Sequence, residues 1–199
     1  MMGDTFYTLA SPGEGIYREK MSKFMAFALP VDTVEGAREI ISEYTNRFHD
    51  ARHVCWAYMI GASRTTFLSS DNGEPSGTAG KPILGQINSF NLTNVVVIVV
   101  RYFGGIKLGT SGLIVAYREA AREAISAAPI IECHEQETIS FTFPYLSMEP
   151  VMRLVKNSEV NVLDQTFDNS CSMTISIRAD HAPELSRRLQ DIDGLTLKD

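Results

Sequence analysis

The chain has 199 residues, a length typical of one large domain or two small ones. With 44% hydrophobic and 21% charged residues it has the composition of a globular protein, which excludes a disordered chain, a collagen-like repeat and a long coiled coil. The net charge of −6 excludes nucleic-acid binding over the whole surface, because such binding depends on clustered Lys and Arg, so any nucleic-acid site must be local.

No membrane or targeting segment is predicted. The longest apolar run, residues 95–100, is far shorter than the roughly 20 residues that cross a bilayer, and the first residues lack the basic and apolar regions of a signal peptide. Cys55, Cys133 and Cys171 are too few and too scattered for a disulfide framework or a CxxC metal site. We therefore expect a cytoplasmic protein without a cofactor.

Before residue 135, the sequence predicts a mixed α/β domain. In chain order, the pattern predicts a strand over 24–29, a helix with Asp32 as N-cap, strands over 54–60 and 65–68, a glycine-rich loop over 71–80 and a helix over 82–89. The β-branched run over 95–100 predicts a strand buried on both faces. Apolar residues at helical spacing from Leu113 to Ile125 then predict an amphipathic helix that ends before Pro129.

Beyond residue 135, the apolar pattern shortens. The sequence there predicts a strand over 138–143, a helix around Val151, a hairpin of 160–167 and 171–177 with its turn at Asp168 and Asn169, a helix starting near Pro183 and a strand over 195–197. The order β-α-β-β-α-β is that of a ferredoxin-like domain. We therefore expect two domains, 1–135 and 136–199. Their net charges of −2 and −4 favour a basic patch in the first.

The glycine-rich segment 101–112 lies between the buried strand and the amphipathic helix. The unpaired N–H groups at a helix N-terminus favour anions, and Arg101 and Lys107, both expected to be exposed, add positive charge. Two interpretations remain open: a site for phosphate or the RNA backbone, and a tight strand-to-helix turn that needs glycine for its geometry. Thr110 or Ser111 is the expected cap of the helix.

The second glycine-rich loop, residues 70–81, is not a P-loop, because Pro75 and Pro82 occupy positions where that motif needs Gly and Ser or Thr. Asp71 and Glu74 have the chemistry to bind a metal or transfer protons, but such residues more often hold a loop by accepting hydrogen bonds from its amides. We favour that supporting role for Asp71, Gly73, Glu74 and Gly77. A zinc site at His49, His53 and Cys55 is disfavoured, since no second cluster completes it.

Basic side chains elsewhere in the first domain add to the same hypothesis. Exposed aromatic residues among cations are typical of sites for single-stranded nucleic acid. The alternative is a solvated edge with Tyr102 and Phe103 in the core. The residues that we predict to bind nucleic acid or phosphate are Lys20, Lys23, Arg64, Lys81, Arg101, Tyr102, Gly104, Gly105, Lys107, Gly109 and Ser111.

Four segments, 20–24, 53–58, 71–82 and 101–109, resemble in order and content the bacterial YigZ/IMPACT family, and the resemblance extends over about residues 15–125. It implies that the first domain has the left-handed β-α-β fold shared by a small-subunit ribosomal protein and domain IV of elongation factor G. The remaining chain resembles the small C-terminal domain of bacterial members, which is similar to the last domain of elongation factor G.

The resemblance implies no settled enzymatic activity. Eukaryotic members regulate translation by competing with an activator of a translation-factor kinase, and bacterial members are proposed to bind nucleic acid or ribosomes. Our first hypothesis is therefore a non-enzymatic, translation-associated protein that binds RNA or the ribosome, with no catalytic residue and no metal. The alternatives are a regulator that acts through a protein partner in translation control and a small-molecule phosphotransferase that uses the glycine-rich loop.

Overall fold

A computed structural model of the protein describes residues 5–168 and 170–198. The chain divides into two compact units, Phe6–Cys133 and the described residues from His134 onward together with Thr5. Asn169, at the predicted hairpin turn, lies outside the described residues. None of the helices in those residues is long and apolar enough to cross a membrane.

Residues 5–134 form seven strands and three helices. In chain order they form β1 (Thr5–Leu9), β2 (Gly13–Glu19), β3 (Ser22–Pro30), α1 (Val34–Arg47), β4 (His53–Ile60), β5 (Thr66–Ser70), α2 (Gly80–Ser89), β6 (Val95–Tyr102), α3 (Gly109–Ser126) and β7 (Ile130–His134). Five strands form an antiparallel sheet in the order β2-β3-β6-β4-β5, and β1 pairs with β7. Because β3 and β4 both run antiparallel to β6, they are parallel to each other, and α1 connects them across β6.

Strand β6 forms the centre of the first unit, as its β-branched sequence predicts. Val95, Val97 and Val99 belong to the apolar core under α2 and α3, whereas the side chains between them belong to the core under α1. All the side chains of residues 95–100 are fully buried. The prediction of a strand buried on both faces is therefore confirmed, and the sheet is covered by helices on both sides.

Three strands of this unit, β1, β2 and β7, are missing from the sequence prediction. Strand β2 has weak β propensity because it contains Gly13 and Gly15. A Cβ atom added to either glycine would lie 2.3 to 2.5 Å from the backbone of Ala124 in α3, so these glycines let the strand lie directly against the helix. The predicted N-cap Asp32 is also wrong: the Thr33 hydroxyl caps α1 by accepting a 3.0 Å hydrogen bond from the Gly36 N–H.

The second unit has the predicted ferredoxin-like order. It contains β8 (Gln136–Phe143), α4 (Met148–Asn157), β9 (Asn161–Thr166), β10 (Cys171–Arg178), α5 (Ala182–Gln190) and β11 (Thr196–Lys198), with a short 3-10 turn before α4. The sheet is antiparallel in the order β11-β8-β10-β9. Alternate residues of β8 and β10 form one core with apolar residues of α4 and α5. The predicted α/β fold class, with a ferredoxin-like C-terminal domain, is confirmed.

Candidate functional site

A cavity of about 450 Å³ lies where β4 begins, β6 ends and α3 begins. The sheet register brings its polar residues together, because Arg101 on β6 lies opposite both His53 on β4 and Phe24 on β3. The cavity is lined by residues from four places. They are Arg52 and His53 just before and at the start of β4, Glu74 and Pro75 from the loop before α2, Arg101, Phe103 and Lys107 around the glycine turn, and Leu108, Gly109, Thr110 and Leu113 at the start of α3.

Arg101 is buried, contrary to the expectation that its charge is exposed. It is 6% exposed and follows Val97 and Val99 on the face of β6 that α2 and α3 cover. Its Nη1 donates a 2.6 Å hydrogen bond to Glu74 Oε1, and its guanidinium lies 5.5 Å from the ring centres of both Phe24 and Phe103. Its positive charge is therefore largely offset by a buried carboxylate.

Glu74 is held from several elements at once. Besides Arg101, the Tyr117 hydroxyl of α3 donates a 2.8 Å hydrogen bond to Glu74 Oε1. His53 Nδ1 lies 2.8 Å from the carbonyl of Asn72 and so carries the proton that it donates, while Nε2 faces Glu74 Oε2 at 3.7 Å. Burial, followed by the neighbouring Cys55 and Glu74, raises the pKa of Tyr117, so its hydroxyl stays protonated as a donor. The loop before α2 is thus tied to β4, β6 and α3.

Cys55 completes this buried group but is not a reactive nucleophile. Its Sγ is within hydrogen-bonding distance of the Asp71 carbonyl, at 3.0 Å, and of the Tyr117 hydroxyl, at 3.4 Å. Burial raises the pKa of the thiol to about 12, which leaves it protonated at neutral pH. Across residues 5–168 and 170–198, no three His, Cys, Asp or Glu side chains are grouped as metal ligands.

Asp71 organises the loop that carries Glu74. Its carboxylate accepts hydrogen bonds from the N–H groups of Gly77, Ala79 and Gly80, at 2.8 to 3.0 Å. Burial by itself raises the pKa of Asp71, but the backbone hydrogen bonds and the positive charge of Lys81 outweigh it, so the pKa lies below its ordinary value. The loop also needs left-handed backbone at Gly73 and Gly77, where φ is +84° and +77°.

The N-terminus of α3 is free of side-chain caps. Leu108 occupies the cap position and makes no side-chain hydrogen bond, so the predicted capping by Thr110 or Ser111 is wrong. Both lie within the first helical turn, which contains no acidic residue. Gly109 and Thr110 of this turn line the cavity. The first N–H groups of an 18-residue helix are therefore available to an acceptor beside Lys107.

The glycine turn itself packs against the β2–β3 hairpin. A Cβ atom on Gly104 would lie 2.0 Å from the backbone carbonyl carbon of Met21, and the Gly104 N–H donates to the Ser22 hydroxyl at 3.2 Å. Gly105 and Gly109 have positive φ angles, +89° and +74°. In this turn glycine is needed both for close backbone approach and for left-handed backbone.

The predicted basic residues do not form one face. Lys107 is exposed at the cavity, and Lys20 lines a neighbouring depression of about 250 Å³ together with Ser111. Lys23 lies opposite Tyr102 in the sheet register, and the Tyr102 hydroxyl donates to Asp50 Oδ1 at 2.9 Å.

The remaining two predicted cations lie apart from the cavity lining. Arg64 follows the far end of β4, where its guanidinium donates to the side-chain oxygens of Asn88 and Asn91. Lys81 is exposed in the first turn of α2 and does not line the cavity.

Comparison with known proteins places this site in a family. The model of the Impact N-terminal domain matches residues 20–125, which include every residue that lines the cavity. The chain belongs to the IMPACT family. An IMPACT family member from Haemophilus influenzae is 31% identical over 160 residues, which cover 79% of this chain and 78% of that protein. The IMPACT family member YigZ from Escherichia coli is 28% identical over 191 residues, covering 95% and 94% of the two chains.

The fold of one solved structure also matches over nearly the whole chain. A crystal structure described only as that of a hypothetical protein covers 98% of this chain and 96% of its own, with 27% identity and a TM-score of 0.76. The similarity therefore includes both units, each of which has a counterpart in that protein.

Sequence reasoning missed two side chains of this IMPACT site. Arg52 is exposed, lines the cavity and, like Lys107, has no side-chain partner among the described residues. For Phe103 the sequence leaves both an exposed and a core position open, and in the structure it lines the cavity with 46% of its surface exposed. The only sequence feature that marks Arg52 is its position before His53 at the start of a strand. Arg52 reaches the cavity because β4 pairs with β6, and this pairing cannot be read from the local sequence.

Proposed function

We propose that this IMPACT-family protein is a non-enzymatic, translation-associated regulator that binds RNA, free or within the ribosome, through phosphate groups at the cavity beside α3. One observation carries the proposal: Arg52, Lys107 and the uncapped first turn of α3 converge on one cavity. Each of these three groups favours a negative charge, and neither cation is neutralised by a described carboxylate.

The buried ion pair supports this arrangement without contacting phosphate. Arg101 and Glu74 offset each other, so they add little net charge to the cavity. Their role in the proposal is to fix the loop before α2, the end of β6 and α3 against one another. The exposed cations and the helix turn are then held in place by rigid elements, which reduces the entropy lost on binding.

The link to translation follows from family membership. The family resemblance implies regulation of translation in eukaryotic members and proposed binding of nucleic acid or ribosomes in bacterial ones. An acidic chain with a local cluster of cations is expected to bind phosphates with modest affinity that falls steeply as salt increases.

The double substitution Arg52→Ala with Lys107→Ala tests the proposal. Fluorescence anisotropy with a single-stranded RNA and cosedimentation with ribosomes, both at low salt, should show affinity lowered by roughly tenfold, because two phosphate contacts are removed. The slope of log K against log salt should also become shallower by roughly two. Both side chains are exposed, so the folded state is expected to survive.

The matched control is Arg38→Ala with Lys156→Ala, which removes the same charge from exposed positions that do not line the cavity. It should bind both RNA and ribosomes as the unchanged protein does. If the cavity variant binds as tightly as the control, phosphate binding at α3 is wrong, and regulation through a protein partner becomes the better hypothesis.

A further inference from the structure

The inner wall of the cavity presents an unused acceptor and an unused donor. Glu74 accepts hydrogen bonds only at Oε1; its Oε2 faces His53 Nε2 at 3.7 Å, which is within ion-pair distance but too long for a hydrogen bond. Arg101 Nε is buried and has no acceptor among the described residues. Both residues are more than nine-tenths buried and line the cavity. A buried polar atom such as Arg101 Nε normally has a partner, and Glu74 Oε2 beside it can still accept a hydrogen bond, so the pair suits a ligand that carries both donor and acceptor groups.

The remaining walls of the cavity are largely apolar. Phe103, Leu108, Leu113 and Pro75 surround the polar floor, and Phe103 has 46% of its surface exposed. A phosphate group would use Arg52, Lys107 and the α3 turn but would leave these apolar surfaces and the two floor atoms unused. The volume of about 450 Å³ is within the range of cavities that enclose small organic ligands.

A nucleobase is complementary to both the polar floor and the apolar walls of this cavity. Its faces are aromatic, and its edge carries hydrogen-bond donors and acceptors side by side. A base that stacks on Phe103 would direct an N–H group toward Glu74 Oε2 and an acceptor toward Arg101. The phosphate of the same nucleotide would then lie near the cations and the first turn of α3.

We propose that the cavity binds one unstacked nucleotide of an RNA strand, with its base inside and its phosphate at the rim. This inference rests on the proposed RNA binding and adds the structure of the ligand: a single-stranded segment that contributes a base, not a phosphate backbone alone. A paired base cannot enter because its edge and faces are already occupied in the duplex.

The experiment compares two probes of equal length and charge, a single-stranded RNA and its abasic counterpart, which keeps every sugar and phosphate. The unchanged protein should bind the base-containing RNA roughly tenfold more tightly, since one stacked base contributes that order of affinity. Phe103→Ala should reduce this ratio to about one. The matched control Ile106→Ala, an exposed apolar residue of the same segment outside the cavity lining, should keep the ratio.

The outcomes separate this inference from the proposed function. Arg52→Ala with Lys107→Ala should weaken both probes equally and leave the ratio unchanged, because those cations contact phosphate. Equal, salt-sensitive binding of the two probes by the unchanged protein would overturn the nucleotide inference while RNA binding stands. Binding of neither probe would overturn both, and a ratio that survives Phe103→Ala would overturn the assignment of the base to this cavity.

Discussion

Arg101 and Lys107 flank the same glycine turn, yet only Lys107 is exposed. The side chain of Arg101 continues the buried row of β6, and its charge is compensated by Glu74. The environment of each cation, and not its position in the sequence, therefore decides whether it binds a ligand or stabilises the fold. For this reason the presence of charged residues near a loop in the sequence is a weak guide to an anion site.

Arg101→Ala is expected to lower the stability of the folded protein. The sequence, which predicts an exposed charge at this position, would lead one to expect only a small change in stability. Removal of one partner of a buried ion pair leaves an uncompensated charge and typically costs about 3–5 kcal/mol. Urea unfolding should show a clearly lower midpoint than that of Lys107→Ala, which serves as the exposed control. Equal midpoints for the two variants would contradict a stabilising role of the pair with Glu74.

Asp71→Asn is expected to lower stability at neutral pH, and the difference from the unchanged protein should shrink as the pH falls. The folded state holds the pKa of Asp71 below its ordinary value, so the carboxylate stabilises the fold above the unfolded pKa, about 3.9. That contribution is lost as the pH falls through the lower, folded pKa. Urea midpoints of both proteins over an acidic pH series measure this difference.

The control for Asp71 is Asp32→Asn, because the Asp32 carboxylate is exposed and makes no hydrogen bond among the described residues. It should leave the midpoint at neutral pH close to that of the unchanged protein. A difference for Asp71→Asn that is constant over the whole series would show that its charge is not what holds the loop.

Cys55 is expected to resist alkylation in the folded protein. Its thiol is fully buried, and burial raises its pKa to about 12, so little thiolate exists even at mildly alkaline pH. Iodoacetamide followed by peptide mass spectrometry should modify the half-buried Cys133 first and Cys55 only after unfolding. Alkylation of both at the same rate in the native protein would contradict this assignment.

At the scale of elements, the glycine turn between β6 and α3 packs against the β2–β3 hairpin. Gly104 has no room for a side chain, because the backbone of Met21 and Ser22 lies where its Cβ would be. Gly85, by contrast, is an exposed residue of α2 with nothing within 4 Å of the position of its Cβ. An added methyl group would therefore clash with the hairpin backbone at Gly104, which precedes α3, but would meet no atom at Gly85, which lies within α2.

Gly104→Ala should destabilise the protein by roughly 1–3 kcal/mol, the range typical of an overpacked position, and should weaken RNA binding by displacing the turn. Gly85→Ala, the matched control, should stabilise α2 by roughly 0.5–1 kcal/mol, since alanine favours helix more than glycine does. Thermal unfolding of both variants measures the contrast. A Gly104→Ala protein as stable as Gly85→Ala would mean that the hairpin and the turn do not pack closely in solution.

At the scale of the whole molecule, we predict two separately folding domains with a boundary near Glu135. Each unit has a hydrophobic core composed of its own residues, which is the requirement for independent folding. A fragment of residues 1–135 should be soluble, show cooperative thermal unfolding and keep the affinity for single-stranded RNA. Limited proteolysis of the full chain should cleave near the boundary first. An insoluble or unfolded 1–135 fragment would contradict this organisation.

Much of the fold could be predicted from local sequence. The β-branched run of β6, the apolar stripe of α3 and the alternation in β8 and β10 each identify an element, because burial imposes a period on the side chains. Strand β2 cannot be found this way, since close contact with α3 requires glycine at positions 13 and 15 and glycine carries no apolar side chain. The two glycine-rich loops were evident as candidate site segments, but their mutual placement was not.

The sequence by itself determined the two kinds of domain, the glycine segments and the family, because these depend on local periodicity and on long motifs in a fixed order. Only the tertiary structure decided which charged residues meet. Arg101 pairs with Glu74 across 27 residues of chain, and Arg64 lies at the opposite end of β4 from His53. Such pairings depend on strand register and loop closure, which bring distant residues together and leave no periodic signal in the sequence.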